Sequence, residues 1–191
     1  MSPPRGRSGT IRPAQALPLQ ARAADKMEEF PMTNLNTTSQ LLEQAAALTD
    51  GEPNILANLA NIAALLGTSL PRINWAGFYL MDQGELVLGP FWGKPACLRI
   101  PLGRGVCGTA AETGCTQRVS DVHAFPGHIA CDSASASEIV LPLRQQDRVV
   151  AVLDIDSPVP ARFSQEDEET LQALAARLEQ LPWSCCGYSL C

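Results

Sequence analysis

Apolar residues recur at helical spacing twice in the first third of the chain. Leu41, Leu42, Ala45 and Leu48 mark a helix over residues 36–48, closed by Asp50-Gly51. Ile55, Leu56, Leu59, Ile62 and Leu65 form the stripe of a second, over 54–66, with Gly67 as its cap. The pattern then changes to extended runs. Residues 73–81 read as a strand, Asp82-Gln83-Gly84 as a hairpin turn, and 85–91 as the returning strand. A short strand at 97–102 precedes a short helix at 105–112, where Arg104-Gly105 opens a run of small residues. Two strongly apolar strands, 138–143 and 149–155, flank a polar turn at 145–148. Ser164 opens a last helix. Glu166, Asp167, Glu168 and Glu169 sit at the positive end of its dipole, Leu171, Leu174, Ala175 and Leu178 line its buried side, and Pro182 stops it. Helices, then strands, a loop-rich middle, a β-hairpin and a closing helix give an α+β domain on an antiparallel sheet, not a βαβ alternation.

The two ends lack such periodicity. Residues 1–32 are rich in Pro, Ala and Arg and read as a disordered extension. No acidic residue precedes Asp25, as in a mitochondrial presequence, but Pro3, Pro4 and Pro13 and the scarcity of Ser argue against one. Met27 or Met32 could equally be the start. Residues 183–191 form a Cys-rich tail, which leaves 33–182 as the domain.

Hydrophobic residues make up 46% of the 191, enough for an ordinary core, and the formal net charge is −6. Arg5, Arg7, Arg12, Arg22 and Lys26 all fall in the first 32 residues, so the domain itself is more acidic still. That disfavours nucleic acid and anionic membranes as partners. No apolar run approaches the ~20 residues of a membrane span. The seven cysteines begin only at Cys97, and no apolar leader precedes them, so a reducing, cytoplasmic compartment is expected. Their thiols are then free, catalytic or metal-binding.

Candidate chemistry gathers in one region. Asp154 and Asp156 stand two apart on a strand and share a face, and the opposite face, read with Val152, Leu153 and Ile155, is apolar. Glu138 begins the preceding strand and can lie across from them. Carboxylates clustered in a cleft raise one another's pKa, so one can keep a proton while a neighbour holds an ammonium group. The plain alternative is that the aspartates bind loop amides or face solvent. Trp75 and Tyr79 flank Gly77 on one strand face, which leaves room for a small ligand against aromatic surface; alternatively they are core.

Cys131 lies in a loop whose backbone amides can favour a thiolate, although Asp132 opposes this. Cys107 stands at a helix start, where the dipole and Arg104 also favour thiolate, and Cys97 lies upstream on a short strand. Widely spaced thiols of this kind suit a cycle through sulfenic acid and disulfide, against the alternative of small buried residues. Cys97, Cys107, Cys131 and His123 could number four zinc ligands, but their spacing is irregular and no Cys-x-x-Cys occurs, so no metal is expected. Cys115 and the tail thiols Cys185, Cys186 and Cys191 read as incidental. His123 and His128 either orient the Cys131 loop or lie on the surface.

The segments INWAGFYL (73–80), LGPFWGKPACLRIPLGRGVCGTAAETG (88–114), DVHAFPGHIACDSASASEIVLPL (121–143) and VLDIDSPVPARFSQEDEETL (152–171) resemble, in order and spacing, the free methionine-R-sulfoxide reductases, catalytic members of the GAF superfamily. The resemblance covers roughly residues 34–181. It implies a single GAF-like domain with a six-stranded antiparallel sheet packed by helices, and reduction of free L-methionine-R-sulfoxide without a bound cofactor. By the same resemblance Cys131 is the nucleophile, Cys97 the main resolving thiol and Cys107 a second one. Glu138, Asp154 and Asp156 are the pocket carboxylates, and Trp75 and Tyr79 the aromatic wall. Thioredoxin, kept reduced by NADPH, is the implied electron donor, and a homodimer is common in the family. Two other readings compete: a non-catalytic GAF sensor for a small ligand, and a zinc-stabilised interaction module.

Overall fold

The computed structural model describes residues 38–127 and 133–183. The chain separates into two units, Met1–Thr33 and Asn34–Cys191, and all described residues belong to the second. The expected disordered extension, the Cys131 loop with His128, and the tail cysteines lie outside the described residues.

Helices α1 (Thr38–Thr49) and α2 (Ile55–Ser69) lead into strands β1 (Trp75–Asp82), β2 (Glu85–Gly93) and β3 (Arg99–Pro101). Helix α3 (Gly105–Thr113), strand β4 (Gln117–Val119) and a 3₁₀ turn (Val122–Ala124) form the middle. Strands β5 (Ser137–Gln145) and β6 (Arg148–Ser157) and helix α4 (Gln165–Leu178) close the domain. The sheet has six strands in the order β3-β2-β1-β6-β5-β4, and every neighbouring pair is antiparallel. The two hairpins, β1–β2 and β5–β6, therefore meet at the centre through β1 and β6, far apart in sequence.

Local chemistry explains the element ends. Gln83 (φ 50°) and Gly84 (φ 87°) are both left-handed, the backbone that a two-residue turn needs to match strand twist. Asn54 caps α2 by accepting from the Ala57 N–H at 3.1 Å. Ser164 and Asp167 form a reciprocal capping box at the start of α4. Burial works against ionising Asp167, but the Ser164 donors and Arg162, 2.9 Å away, outweigh it and hold that carboxyl below its ordinary range.

The sheet has two different faces. Ala76 and Phe78 of β1, Ile139, Leu141 and Leu143 of β5, and Ala151, Leu153 and Ile155 of β6 point to one side. There they pack against α1, α2 and α4 in the main core. Residues such as Leu59, Phe78 and Leu153 are 0% exposed, and each contributes about 1.5–3 kcal/mol relative to an exposed side chain. The other face carries Trp75, Tyr79, Val140 and Val152, and helix α3 covers it through Val106, Cys107, Ala110 and Ala111.

Some expectations change. Gly67 does not cap α2, which runs on to Ser69; a Cβ there would collide with the Trp92 ring, so the glycine lets β2 approach the helix. The strand expected at 97–102 shortens to Arg99–Pro101 and leaves Cys97 in the connection before it. The short polar edge strand β4 gave no period to read. Val152 shares the face of Asp154 and Asp156 rather than the helical side. Helix α4 ends at Leu178, ahead of Pro182. Trp183, read as the first tail residue, is 3% exposed and belongs to the main core. Its indole N–H donates to the Leu178 carbonyl at 2.9 Å, satisfying one of the carbonyls that a helix end leaves open. Among the described residues, no helix is long and apolar enough to cross a membrane.

Candidate active site

Register places the acids and aromatics in rows across the three central strands. Trp75 pairs with Asp156, which pairs with Glu138. One step along, Gly77 pairs with Asp154, which pairs with Val140. Tyr79 pairs with Val152 in the next row. Because alternate strand residues share a face, Trp75, Tyr79, Glu138, Asp154 and Asp156 all lie beneath α3.

Helix α3 lowers Cys107 into this arrangement. Its thiol lies 3.8 Å from Glu138 Oε1, and the ligand atoms of Cys107, Glu138 and Asp154 are all within 4.8 Å of one another. Glu138 and Asp154 are each only 6% exposed, and Cys107 4%. Asp154 Oδ1 is buried with no hydrogen-bond partner. Asp156 is half-buried at the mouth of the row.

Burial of these groups sets their protonation. Glu138 is pushed well above the usual carboxylate range, first by burial and then by repulsion from Asp154 and Asp156. Burial raises Asp154 to about 6, while Cys107 and Glu138 pull it partly back. Both buried carboxyls are thus shifted toward their protonated forms, and Asp154, at about 6, still carries charge at neutral pH. Burial, then the charges of Asp154 and Glu138, drive the Cys107 thiol well above its ordinary value. This reverses the thiolate expected from the helix start. Arg104 makes no side-chain cap and is exposed, so the acids beneath the helix outweigh any help from its end.

The aromatic end is built from three rings. Trp75 stacks on Tyr79 at 5.9 Å between centroids and on Phe91 at 5.5 Å. The Trp75 indole N–H donates to the Lys94 carbonyl at 3.1 Å, which fixes the ring. The space expected above Gly77 is taken: a Cβ there would stand 2.6 Å from Trp75 Cη2. Gly77 thus admits the aromatic stack rather than a ligand. Phe91 was missed: counting outward from the Asp82–Glu85 turn puts Pro90 opposite Gly77, and only the irregularity between Gly77 and Tyr79 brings Phe91 there.

The remaining candidates are spread. Cys97 is half-buried and packs against the α3-side cluster, whereas Cys115 is exposed. His123 is exposed and is not one of the residues of the Cys107–Glu138–Asp154 cluster. Cys131 lies outside the described residues. Ser135, in the segment after it, is tied to the residue just before β1: the Asn74 side-chain N–H donates to Ser135 Oγ at 3.0 Å.

A curled antiparallel sheet with helices on one face and a buried acidic cleft under a short helix on the other defines a GAF-type domain, and the GAF domain family matches residues 37–181. The free methionine-R-sulfoxide reductase of Escherichia coli is 59% identical over 135 residues, covering 71% of this chain and 82% of that one. The solved free methionine-R-sulfoxide reductase of Neisseria meningitidis, in complex with its substrate, is 48% identical with a TM-score of 0.72, covering 74% of this chain and 86% of that one. The fRMsr of Staphylococcus aureus, solved with its substrate, is 49% identical with a TM-score of 0.73, covering 78% and 99%. The chain belongs to the GAF-domain family and, within it, to the free methionine-R-sulfoxide reductases.

Proposed function

We propose that this protein reduces free L-methionine-R-sulfoxide to methionine. The observation that carries the reading is the buried Glu138–Asp154 pair beside Cys107, next to a stacked aromatic wall, with burial pushing both carboxyls toward their protonated forms. Sulfoxide reduction needs a proton donor for the departing oxygen, an anion for the ammonium group and an apolar contact for the methyl-thioether end. Glu138 supplies the first, Asp154 and Asp156 the second, and Trp75 with Tyr79 the third. The substrate-bound relatives support this assignment of the ligand.

The Cys131 thiolate attacks the sulfoxide sulfur while Glu138 protonates the oxygen, and the S–O oxygen passes to Cys131 as methionine leaves. Cys131 is then a sulfenic acid. Cys97 attacks it, expelling water and forming a disulfide, with Cys107 as a second resolving thiol. A dithiol reductant of the thioredoxin class, itself reduced by NADPH, takes up the disulfide. No bound cofactor enters this cycle. The catalytic unit spans residues 33–182 together with the buried Trp183, works in the cytoplasm, and can pair as a homodimer.

The test is a coupled assay with thioredoxin, thioredoxin reductase and NADPH, given each sulfoxide epimer in turn. NADPH loss with the R epimer alone, abolished by Cys131→Ser, is the expected result. No loss with either epimer, even with dithiothreitol, would refute the reading and leave a ligand-binding domain without turnover.

A further inference from the structure

The donor atoms of Cys107, Glu138 and Asp154 converge within 4.8 Å of one another, on residues no more than 6% exposed. A tetrahedral zinc centre, with Zn–S about 2.3 Å and Zn–O about 2.0–2.2 Å, sets S···O edges of about 3.5 Å. The Cys107 Sγ to Glu138 Oε1 separation is 3.8 Å, a few tenths of an ångström from that edge. A second observation is independent of the clustering. Asp154 Oδ1 is buried with no hydrogen-bond partner, on a side chain only 6% exposed. A buried carboxylate oxygen left in that condition is costly, and a cation beside it removes the cost. The groups acting electrostatically on the thiol, Asp154, Glu138 and Asp156, are all acids, so the pocket gathers negative charge. One sulfur and two carboxylates do not suit magnesium or calcium, which take oxygen ligands alone; they suit zinc.

We infer that the reduced protein binds one zinc ion through Cys107 Sγ and the carboxylates of Glu138 and Asp154, with a fourth position left for water. On binding, the Cys107 S–H bond breaks, its proton leaves to solvent, and the sulfur lone pair forms the S–Zn bond. The proton held on Glu138 leaves in the same way. Nothing is oxidised or reduced. Neither Cys97 nor His123 belongs to the set. Metal binding follows from the geometry and is independent of the reductase reading. One consequence does rest on that reading: zinc and the sulfoxide occupy the same cleft and exclude each other.

The test is titration of the full, reduced chain with cobalt(II) under anaerobic conditions, followed by displacement with zinc. The wild-type protein shows the visible bands of tetrahedral cobalt and a sulfur-to-cobalt charge-transfer band, saturating at one ion per chain in this site. Cys107→Ser loses the charge-transfer band. Glu138→Gln and Asp154→Asn each weaken the affinity at least tenfold, with circular dichroism confirming that they fold. A triple Cys185→Ser, Cys186→Ser, Cys191→Ser variant keeps the spectrum. Where Cys107→Ser fails to fold, the two amide variants decide. An unchanged affinity in both amide variants, or no tetrahedral spectrum in the wild type, overturns the site. An intact spectrum in a protein without sulfoxide turnover overturns only the reductase reading.

Discussion

Asp154 is a charged-side-chain position that the fold holds against its own preference, and replacing it by asparagine measures how strongly. Burial raises the Asp154 carboxyl from an ordinary 3.8 to about 6. Below pH 4 the carboxyl is protonated whether the chain is folded or not, and it costs nothing. Between those two values the unfolded chain ionises while the folded one keeps its proton. The folded state then binds more protons, so its stability falls as pH rises through this window. At 1.36 kcal/mol per pH unit, the gap amounts to about 3 kcal/mol by neutral pH. Asp154→Asn keeps the shape and removes the titration. It also relieves Glu138 of its largest charged neighbour, which acts in the same direction. The variant is therefore expected to gain on the wild type as pH rises from 4 to 7, reaching about 3 kcal/mol, while losing the proposed turnover. Denaturant unfolding of both proteins across that range, with thiols kept reduced, reads the difference directly. A stability difference that stays flat with pH would refute the reasoning, and one that shrinks as pH rises would reverse its sign.

Two further outcomes follow from packing. Gly77→Ala places a methyl 2.6 Å from Trp75 Cη2 and 2.9 Å from the Phe91 Cα; it should cost about 1–3 kcal/mol and raise KM more than it lowers kcat, with unchanged steady-state parameters counting against the aromatic wall. Trp183→Ala removes a ring that is 3% exposed and hydrogen-bonded to Leu178; unfolding experiments should show a loss of about 3–5 kcal/mol, and a loss below about 1 kcal/mol would place that ring outside the core.

What the sequence determined by itself is local. The stripes of α2 and α4, the Gln83-Gly84 turn, the apolar runs of β5 and β6, and the shared face of Asp154 and Asp156 all follow from period and turn chemistry over a few residues. The motifs around residues 73–80, 88–114, 121–143 and 152–171 carried the fold and the substrate class by resemblance. Tertiary structure decided the rest. Whether Glu138 meets Asp156 depends on the register between β5 and β6. Whether Cys107 is a thiolate depends on which groups α3 covers, and those come from strands β5 and β6. Likewise, Gly77 and Gly67 are explained by Phe91 and Trp92 reaching them from strand β2, and Trp183 by the core it shares with α4. A charge state or a close contact is set by everything within a few ångströms, and that neighbourhood exists only once distant strands are paired.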